Sequence, residues 1–466
     1  MEVIGIVLSL LLLMAFAYRG FSVILFAPIF ALLAATMSGF SVMPAYTELF
    51  MAKAVTYVKS FFPVFMLGAV FGKVMEDTGM AKGIAKAIIK GLGQERAILA
   101  VVLSGAVLTY GGVSLFVVVF AVYPFAAALF REAQIPKRLI PGCIALGAFT
   151  FTMDAFPGTP QIQNIIPTNF LGTTLYAAPI SGLIGGISIL VLGMAYLNHR
   201  RKAAAAAGEG YGDHSLNEPV AGSTDDQFPN WKISVLPLLS VLIVNYLMSA
   251  VFTWNPEAIK PFAAMKLPLI VPAVKNVISI WSLIIALVFG IALAVVLGFR
   301  YLPKNGLQKA LNAGALGSLL AIMNTASEVG YGNVIAALPG FKAIAGALLG
   351  IQIGGTPLIS EAVTVTTLAG ITGSASGGLS IALDLMAKDW LAWANTINMS
   401  PEILHRVASM ASGGLDTLPH NGAVITLLAV CGLTHRQSYP DIFFMTVIKT
   451  LMVFVVIALH MLTGIL

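Results

Sequence analysis

The stretch Thr150-Phe-Thr-Met-Asp154-Ala-Phe-Pro157-Gly158-Thr159-Pro160-Gln161 interrupts what would otherwise read as one long apolar segment. Proline removes a backbone donor and clashes with the preceding turn, and glycine tolerates dihedrals closed to other residues, so a helix breaks here. From Arg138 to Arg200 the only charged residue is Asp154. In lipid, broken backbone survives only where protein buries it or where it lines a cavity. The same construction returns in Ser412-Gly-Gly-Leu-Asp416-Thr-Leu-Pro419-His420-Asn421-Gly422. Two polar breaks, each carrying an Asp-x-x-Pro, predict an all-α membrane chain with a buried polar site.

The rest of the chain supports that reading. Of 466 residues, 58% are hydrophobic and only 10% charged, against roughly 45–50% and 25% in soluble proteins. Nothing charged lies between Arg19 and Glu48, Arg96 and Arg131, Asp154 and Arg200, Lys232 and Glu257, or Lys275 and Arg300. Each gap exceeds the ~20 residues that span a hydrocarbon core. A soluble enzyme, a disordered chain and a peripheral protein are excluded, and a multi-pass protein of the cell (inner) membrane is expected. The net charge of +6 comes from basic residues in short loops, which the positive-inside rule explains without a nucleic-acid partner. Cys143 and Cys431 lie in apolar segments and give neither a disulfide framework nor a metal site. Residues 1–18 lack a basic leader and a small-x-small cleavage site, so they read as the first span.

The halves match each other in order. Val70-Phe-Gly-Lys-Val-Met75 pairs with Gly330-Tyr-Gly-Asn-Val-Ile335, and Gly111-Gly-Val-Ser-Leu115 with Gly377-Gly-Leu-Ser-Ile381. Asp154-Ala-Phe-Pro157 pairs with Asp416-Thr-Leu-Pro419, and Gly172-Thr-Thr174 with Gly432-Leu-Thr434. The nearly constant spacing predicts an internal duplication: a first transmembrane repeat over 1–198, a cytoplasmic linker over 199–231 and a second repeat over 232–466. Basic residues crowd the loops of the first hairpin (Lys82, Lys86, Lys90, Arg96, Arg131, Lys137, Arg138), whereas equivalent loops of the second half carry only Lys342, Lys388 and Arg406. After the Asp-x-x-Pro segments the bias reverses, which predicts inverted repeats.

Each repeat has a second interruption, Thr109-Tyr110-Gly111-Gly112-Val113-Ser114 and Thr372-Gly-Ser-Ala-Ser376-Gly377-Gly378. Arms of about a dozen apolar residues suit a re-entrant hairpin with a small-residue tip; two ordinary spans joined by a glycine turn is the alternative. Free N–H groups at half-helix ends bind anions, and carbonyls or carboxylates hold a cation or proton. Among the few intramembrane carboxylates, Asp154, Asp416 and Glu328 are the candidates for proton coupling, with helix capping or ion pairing as the plainer roles. Glu361 reads as a helix start, and His420 as a possible relay beside Asp416. No HExxH, GxSxG, Walker A or Cys/His cluster is present, so no enzyme, cofactor or metal is expected.

The run Phe151-Thr-Met-Asp154-Ala-Phe-Pro-Gly-Thr-Pro160-Gln161-Ile-Gln-Asn164-Ile-Ile-Pro167-Thr168, with Gly111-Gly112 before it, resembles the gluconate permease (GntP) family of the ion transporter superfamily. The resemblance spans essentially the whole chain and is greatest to the 3-hydroxybutyrate permeases. It implies proton-coupled uptake of a small hydroxy-carboxylate, two hairpins per protomer and a homodimer. Carried over by position, it implies a binding site from Thr109, Gly111, Gly112, Ser114, Gly158, Thr159, Gln161, Ser376, Gly377, Gly378, His420 and Asn421. Ser327-Glu328-Val-Gly330-Tyr-Gly departs from the Gly/Ala-rich run expected of sugar-acid members, which favours a smaller substrate. The expected function is therefore proton symport of a 3-hydroxybutyrate- or gluconate-type monocarboxylate. Sodium/proton antiport, or other cation-coupled carboxylate carriage, is the alternative, and sodium is the alternative coupling ion; a passive channel ranks lower.

Overall fold

The computed structural model describes residues 2–19, 21–113, 115–218, 228–302, 305–351, 353–372, 374–419 and 421–466, and among them it contains helices and no strand. The first half runs α1 (Glu2–Tyr18), α2 (Val23–Met37), α3 (Val42–Asp77), α4 (Met80–Leu92), α5 (Ala97–Tyr110), α6 (Leu115–Glu132), α7 (Ile140–Ala148), α8 (Phe151–Asp154), α9 (Ile162–Leu171) and α10 (Pro179–Ala206). The second runs α11 (Trp231–Val251), α12 (Ile278–Gly298), α13 (Gly306–Ala337), α14 (Pro339–Leu349), α15 (Leu358–Thr372), α16 (Ala375–Thr396), α17 (Pro401–Ser412), α18 (Gly422–Cys431) and α19 (His435–Thr463). By length and composition, five helices among the described residues can cross a membrane, or seven if each sharply bent pair is one span. The bends are 107° at α4/α5 and 88° at α13/α14. At α4 the reason is in the sequence. Met80, Ala81, Ile84, Ala85 and Ile89 are buried on one face while Lys82, Lys86 and Lys90 take the other, the pattern of a helix lying along a boundary.

Element order is the same in both halves: two helices, a long helix, a bent short one, a hairpin, a broken helix and a long closing helix. Packing between halves follows that order. Helix α2 packs on α13 as α12 packs on α3, and α1 meets α14 as α11 meets α4. Likewise α9 lies on α16 and α18 on α6, while α3 crosses α13 and α10 runs beside α19.

The closing helices are antiparallel, which defines two ends of the molecule. At one end Ile180 N donates to Leu466 O at 3.0 Å. At the other, Arg200 Nε donates to Asp441 Oδ1 at 2.8 Å. On α10 these contacts are 20 residues apart, about 30 Å at 1.5 Å per residue. The linker continues α10 as far as Ala206 and then folds back over the Arg200 end. There Glu218 pairs with Lys137 at 2.6 Å and with Arg131. Glu209 pairs with Arg138 at 2.7 Å, and that guanidinium holds the Glu209 carboxyl below its usual range. The loop after the first break sits at the opposite end, where Ala178 N donates to Glu402 Oε2 at 3.2 Å. The α5–α6 hairpin therefore opens toward the linker end and α15–α16 toward the other.

Candidate functional site

The first hairpin tip is made by Gly111 and Gly112, the latter at φ +93°, where a side chain would be strained. The first break closes over it. Gln161 Nε2 donates to Thr109 O at 2.7 Å, and the Tyr110 hydroxyl donates to Pro157 O at 2.8 Å. Within the break, Thr159 Oγ1 donates to Thr152 O at 2.6 Å, and Gly158, at φ +79°, leaves room for the Tyr176 ring. Leu238 of α11 packs on Gly111. The Thr109 hydroxyl is buried with no hydrogen-bond partner. Ser114 lies outside the described residues.

The two breaks meet across the halves. Asp154 O accepts from Arg406 Nη1 at 3.2 Å and from Ser409 Oγ at 2.8 Å. Arg406 also donates to Ala177 O at 2.8 Å and to Asn164 Oδ1 at 3.1 Å. His405 bridges Asn164 Oδ1, at 3.0 Å, and Thr173 Oγ1, at 2.6 Å. Sequence position read Arg406 as a loop charge. The structure corrects this: Arg406 is fully buried in α17, because broken backbone opposite it presents carbonyls that need donors. The Asp154 carboxyl is buried, and its Oδ2 has no hydrogen-bond partner and lies against Gly413, where a Cβ would collide with it.

Asp416 occupies the matching place in the second break but is ion-paired to Lys449, which also donates to Phe149 O at 3.1 Å. Asn421 is the N-cap of α18, its Oδ1 accepting from Ala423 N at 2.7 Å. His420 lies outside the described residues.

At the second tip, Ser374 caps α16, accepting from Gly377 N at 3.1 Å. The Ser374, Ser376 and Thr325 hydroxyls form a run with 3.4 Å steps. Glu328 enters this group from α13 beside Ser374. It is 3% exposed, and its Oε2 has no hydrogen-bond partner and fills the space where a Gly377 side chain would stand. Gly378 lets the two hairpin arms touch at Ala369. Thr366 Oγ1 donates to Ala411 O at 3.0 Å, tying this hairpin to the second break. Glu361, in the first turn of α15, is buried with neither oxygen partnered.

A continuous assembly results: first tip, first break, Asp154 against Gly413, second break, second hairpin. Its carboxyls differ in kind. Asp416 has a counter-ion, whereas among the described residues Asp154 and Glu328 have no cation within ion-pair distance. No group of three or more His, Cys, Asp or Glu among the described residues could hold a metal ion.

The family model described as GntP family permease matches residues 1–459. The chain belongs to the GntP permease family. A relative in Bacillus subtilis (strain 168), the uncharacterized transporter YxjC, is 54% identical over 481 residues, covering 100% of both chains. Two solved structures share the fold. The YdaH transporter of Alcanivorax borkumensis, described as having an unusual topology, aligns with TM-score 0.55 at 14% identity, covering 90% of this chain and 91% of that one. MtrF of Neisseria gonorrhoeae, described as illuminating a class of antimetabolite efflux pumps, aligns with TM-score 0.55 at 13% identity, covering 89% of this chain and 85% of that one. This GntP permease is thus a multi-pass membrane transporter that handles a small-molecule solute. The site expected from sequence leaves out Arg406, His405, Asn164 and Lys449. The available signal was Lys449 itself, a lone cation inside the apolar run Ile442–Leu462.

Proposed function

We propose that this GntP permease is a proton-coupled symporter of a small hydroxy-monocarboxylate of the 3-hydroxybutyrate or gluconate type. Glu328 carries the reading: it is a buried carboxyl at a hairpin tip, with no counter-ion among the described residues. An ionised side chain at mid-membrane costs at least ~2.5–3.5 kcal/mol. Such a group cycles between a neutral form when the site is dry and an ionised form when water reaches it, which is what a coupled proton requires. The substrate carboxylate would meet amide and hydroxyl donors near Gly111, Gly112, Thr159, Gly377, Gly378 and Asn421, with Asp154 or Asp416 as further acids. The departure of Ser327-Glu328-Val-Gly330-Tyr331-Gly332 from a Gly/Ala-rich run favours a short substrate.

The proposal includes inverted repeats, 1–198 and 232–466, about a cytoplasmic linker at 199–231. Support comes from the exchange-symmetric packing and from hairpins that open at opposite ends. Arg131, Lys137, Arg138 and Arg200 at the linker end favour placing that end in the cytoplasm. Purified protein in liposomes is expected to accumulate labelled hydroxy acid under an inward proton gradient, and to lose accumulation when a protonophore collapses it. No gradient-driven uptake across a panel of hydroxy acids would overturn the proposal; uptake driven only by sodium would move the coupling to that ion.

A further inference from the structure

We propose that Glu328 exchanges its proton with solvent along a polar seam between α3, α13 and α16, with Asp384 as the solvent-side relay carboxylate. This rests on the proton-coupled reading of Glu328 and adds the route. Three sets of residues carry it. On α16, Ser376, Ser380 and Asp384 recur every fourth position and share one face. On α3, Lys53 and Tyr57 do the same, and on α13 Thr325, Glu328 and Asn333 line the facing side.

The contacts run in that order. Glu328, Ser374, Ser376 and Thr325 form the inner group. The buried Tyr57 hydroxyl stands near this group from α3, beside Ser380, Thr325 and Glu328 but hydrogen-bonded to none of them. Ser380 Oγ donates back to Ser376 O at 2.7 Å. One further turn out, Lys53 Nζ lies 3.2 Å from Asp384 Oδ1 while Asn333 Nδ2 donates to Oδ2 at 2.5 Å. Lys53 is 46% exposed and Asp384 18%, so this group reaches the molecular surface. Beside the stripe the packing is apolar, with Ile381 pressed on Gly332.

Geometry fits a route from surface to mid-membrane. Asp384 lies ten residues beyond Ser374, about 15 Å along the helix, or half of a ~30 Å core. The hairpin opens at the end away from the linker, the side from which an imported proton arrives in the proposed topology. Asp384 takes a proton from water and becomes neutral. A hydroxyl or an intervening water then accepts that proton and passes its own to the Glu328 carboxylate, leaving Asp384 ionised and Glu328 neutral. Steps of about 6 Å between every fourth residue leave room for one hydroxyl or water per hop.

The test separates net, proton-driven uptake from substrate counterflow, in which the carrier exchanges labelled for unlabelled solute without releasing its proton. Proteoliposomes would carry wild type, Asp384→Asn, Asp384→Glu or Tyr57→Phe, with the hydroxy acid that wild type accumulates. Expected is a tenfold or greater loss of net uptake in Asp384→Asn, counterflow within twofold of wild type, and recovery in Asp384→Glu. Tyr57→Phe should lose net uptake severalfold with the same split. Wild-type net uptake in Asp384→Asn, or a proportional loss of both modes, would overturn the route and leave the Lys53–Asp384 pair a structural brace. If Asp384→Asn shows no counterflow because it misfolds, Tyr57→Phe decides, and a wild-type net rate there overturns the route. Wild-type protein that never responds to a proton gradient overturns the symport reading instead.

Discussion

At the first hairpin tip the neighbours are neutral: an amide from Gln161, a phenol from Tyr110, and the carbonyls that they meet. At the second, the neighbours are hydroxyls and a carboxyl with no counter-ion among the described residues. Backbone construction repeats between halves, yet charge does not. Counting back 260 residues from Glu328 reaches Gly68, and counting back 262 from Lys449 reaches Ile187. The difference teaches that two similar backbone frames carry unlike side chains, with a buried carboxyl at the second tip and a neutral, amide-closed turn at the first.

The sharpest way to break this comparison is Glu328→Gln, which removes the acid while keeping the size. Proton-driven accumulation in proteoliposomes should fall at least tenfold, while counterflow persists; a mutant that still accumulates substrate shows that the tips are not functionally unequal. Next come the paired aspartates. Lys449→Met leaves Asp416 as an uncompensated buried charge and should cost about 3–5 kcal/mol. Much of that should return in Lys449→Met/Asp416→Leu, as read by thermal unfolding in detergent. Asp154→Asn, which breaks no ion pair, should shift stability by less than ~1 kcal/mol; equal losses at both aspartates would erase the distinction.

A smaller effect tests the contact between the breaks. Gly413→Ala drives a methyl into the Asp154 carboxyl and should cost about 1–3 kcal/mol by overpacking, relieved when Asp154 is also cut to Ala. Smallest are the tip bonds themselves. Ser374→Ala removes an N-cap and Gln161→Ala the amide over Thr109, each worth about 1 kcal/mol, and each visible as a modest fall in midpoint temperature.

Much of the frame was legible because its signals are local. Pro157, Gly158 and Pro160 break a helix wherever they stand, and charge-free runs mark spans without any partner. What completes the site is not local. Arg406 looks like any loop cation until Asp154 O, Ala177 O and Asn164 are seen around it. Asp416 and Asp154 share a motif, and only Lys449, 33 residues further on, separates their chemistry. Asn421 is expected at the site only through the family resemblance, and its Oδ1 also caps α18, a role that the neighbouring Gly422 and apolar run leave unmarked. The linker is legible as a polar stretch between the halves, but its Glu209 and Glu218 pair with cations placed far earlier in the chain, which no local pattern shows.

Arg406 also sets a timetable. Asn164, whose oxygen it satisfies, is made 242 residues earlier. At ~5–20 residues per second that is a wait of about 12–50 s. Throughout that interval the first break has carbonyls with no intended donor, so the nascent first half must stay hydrated, or lean on the insertion machinery, until the second half arrives. A ribosome stalled before residue 406 should therefore leave a chain that a protease cuts near residues 155–161 and that becomes resistant once synthesis resumes.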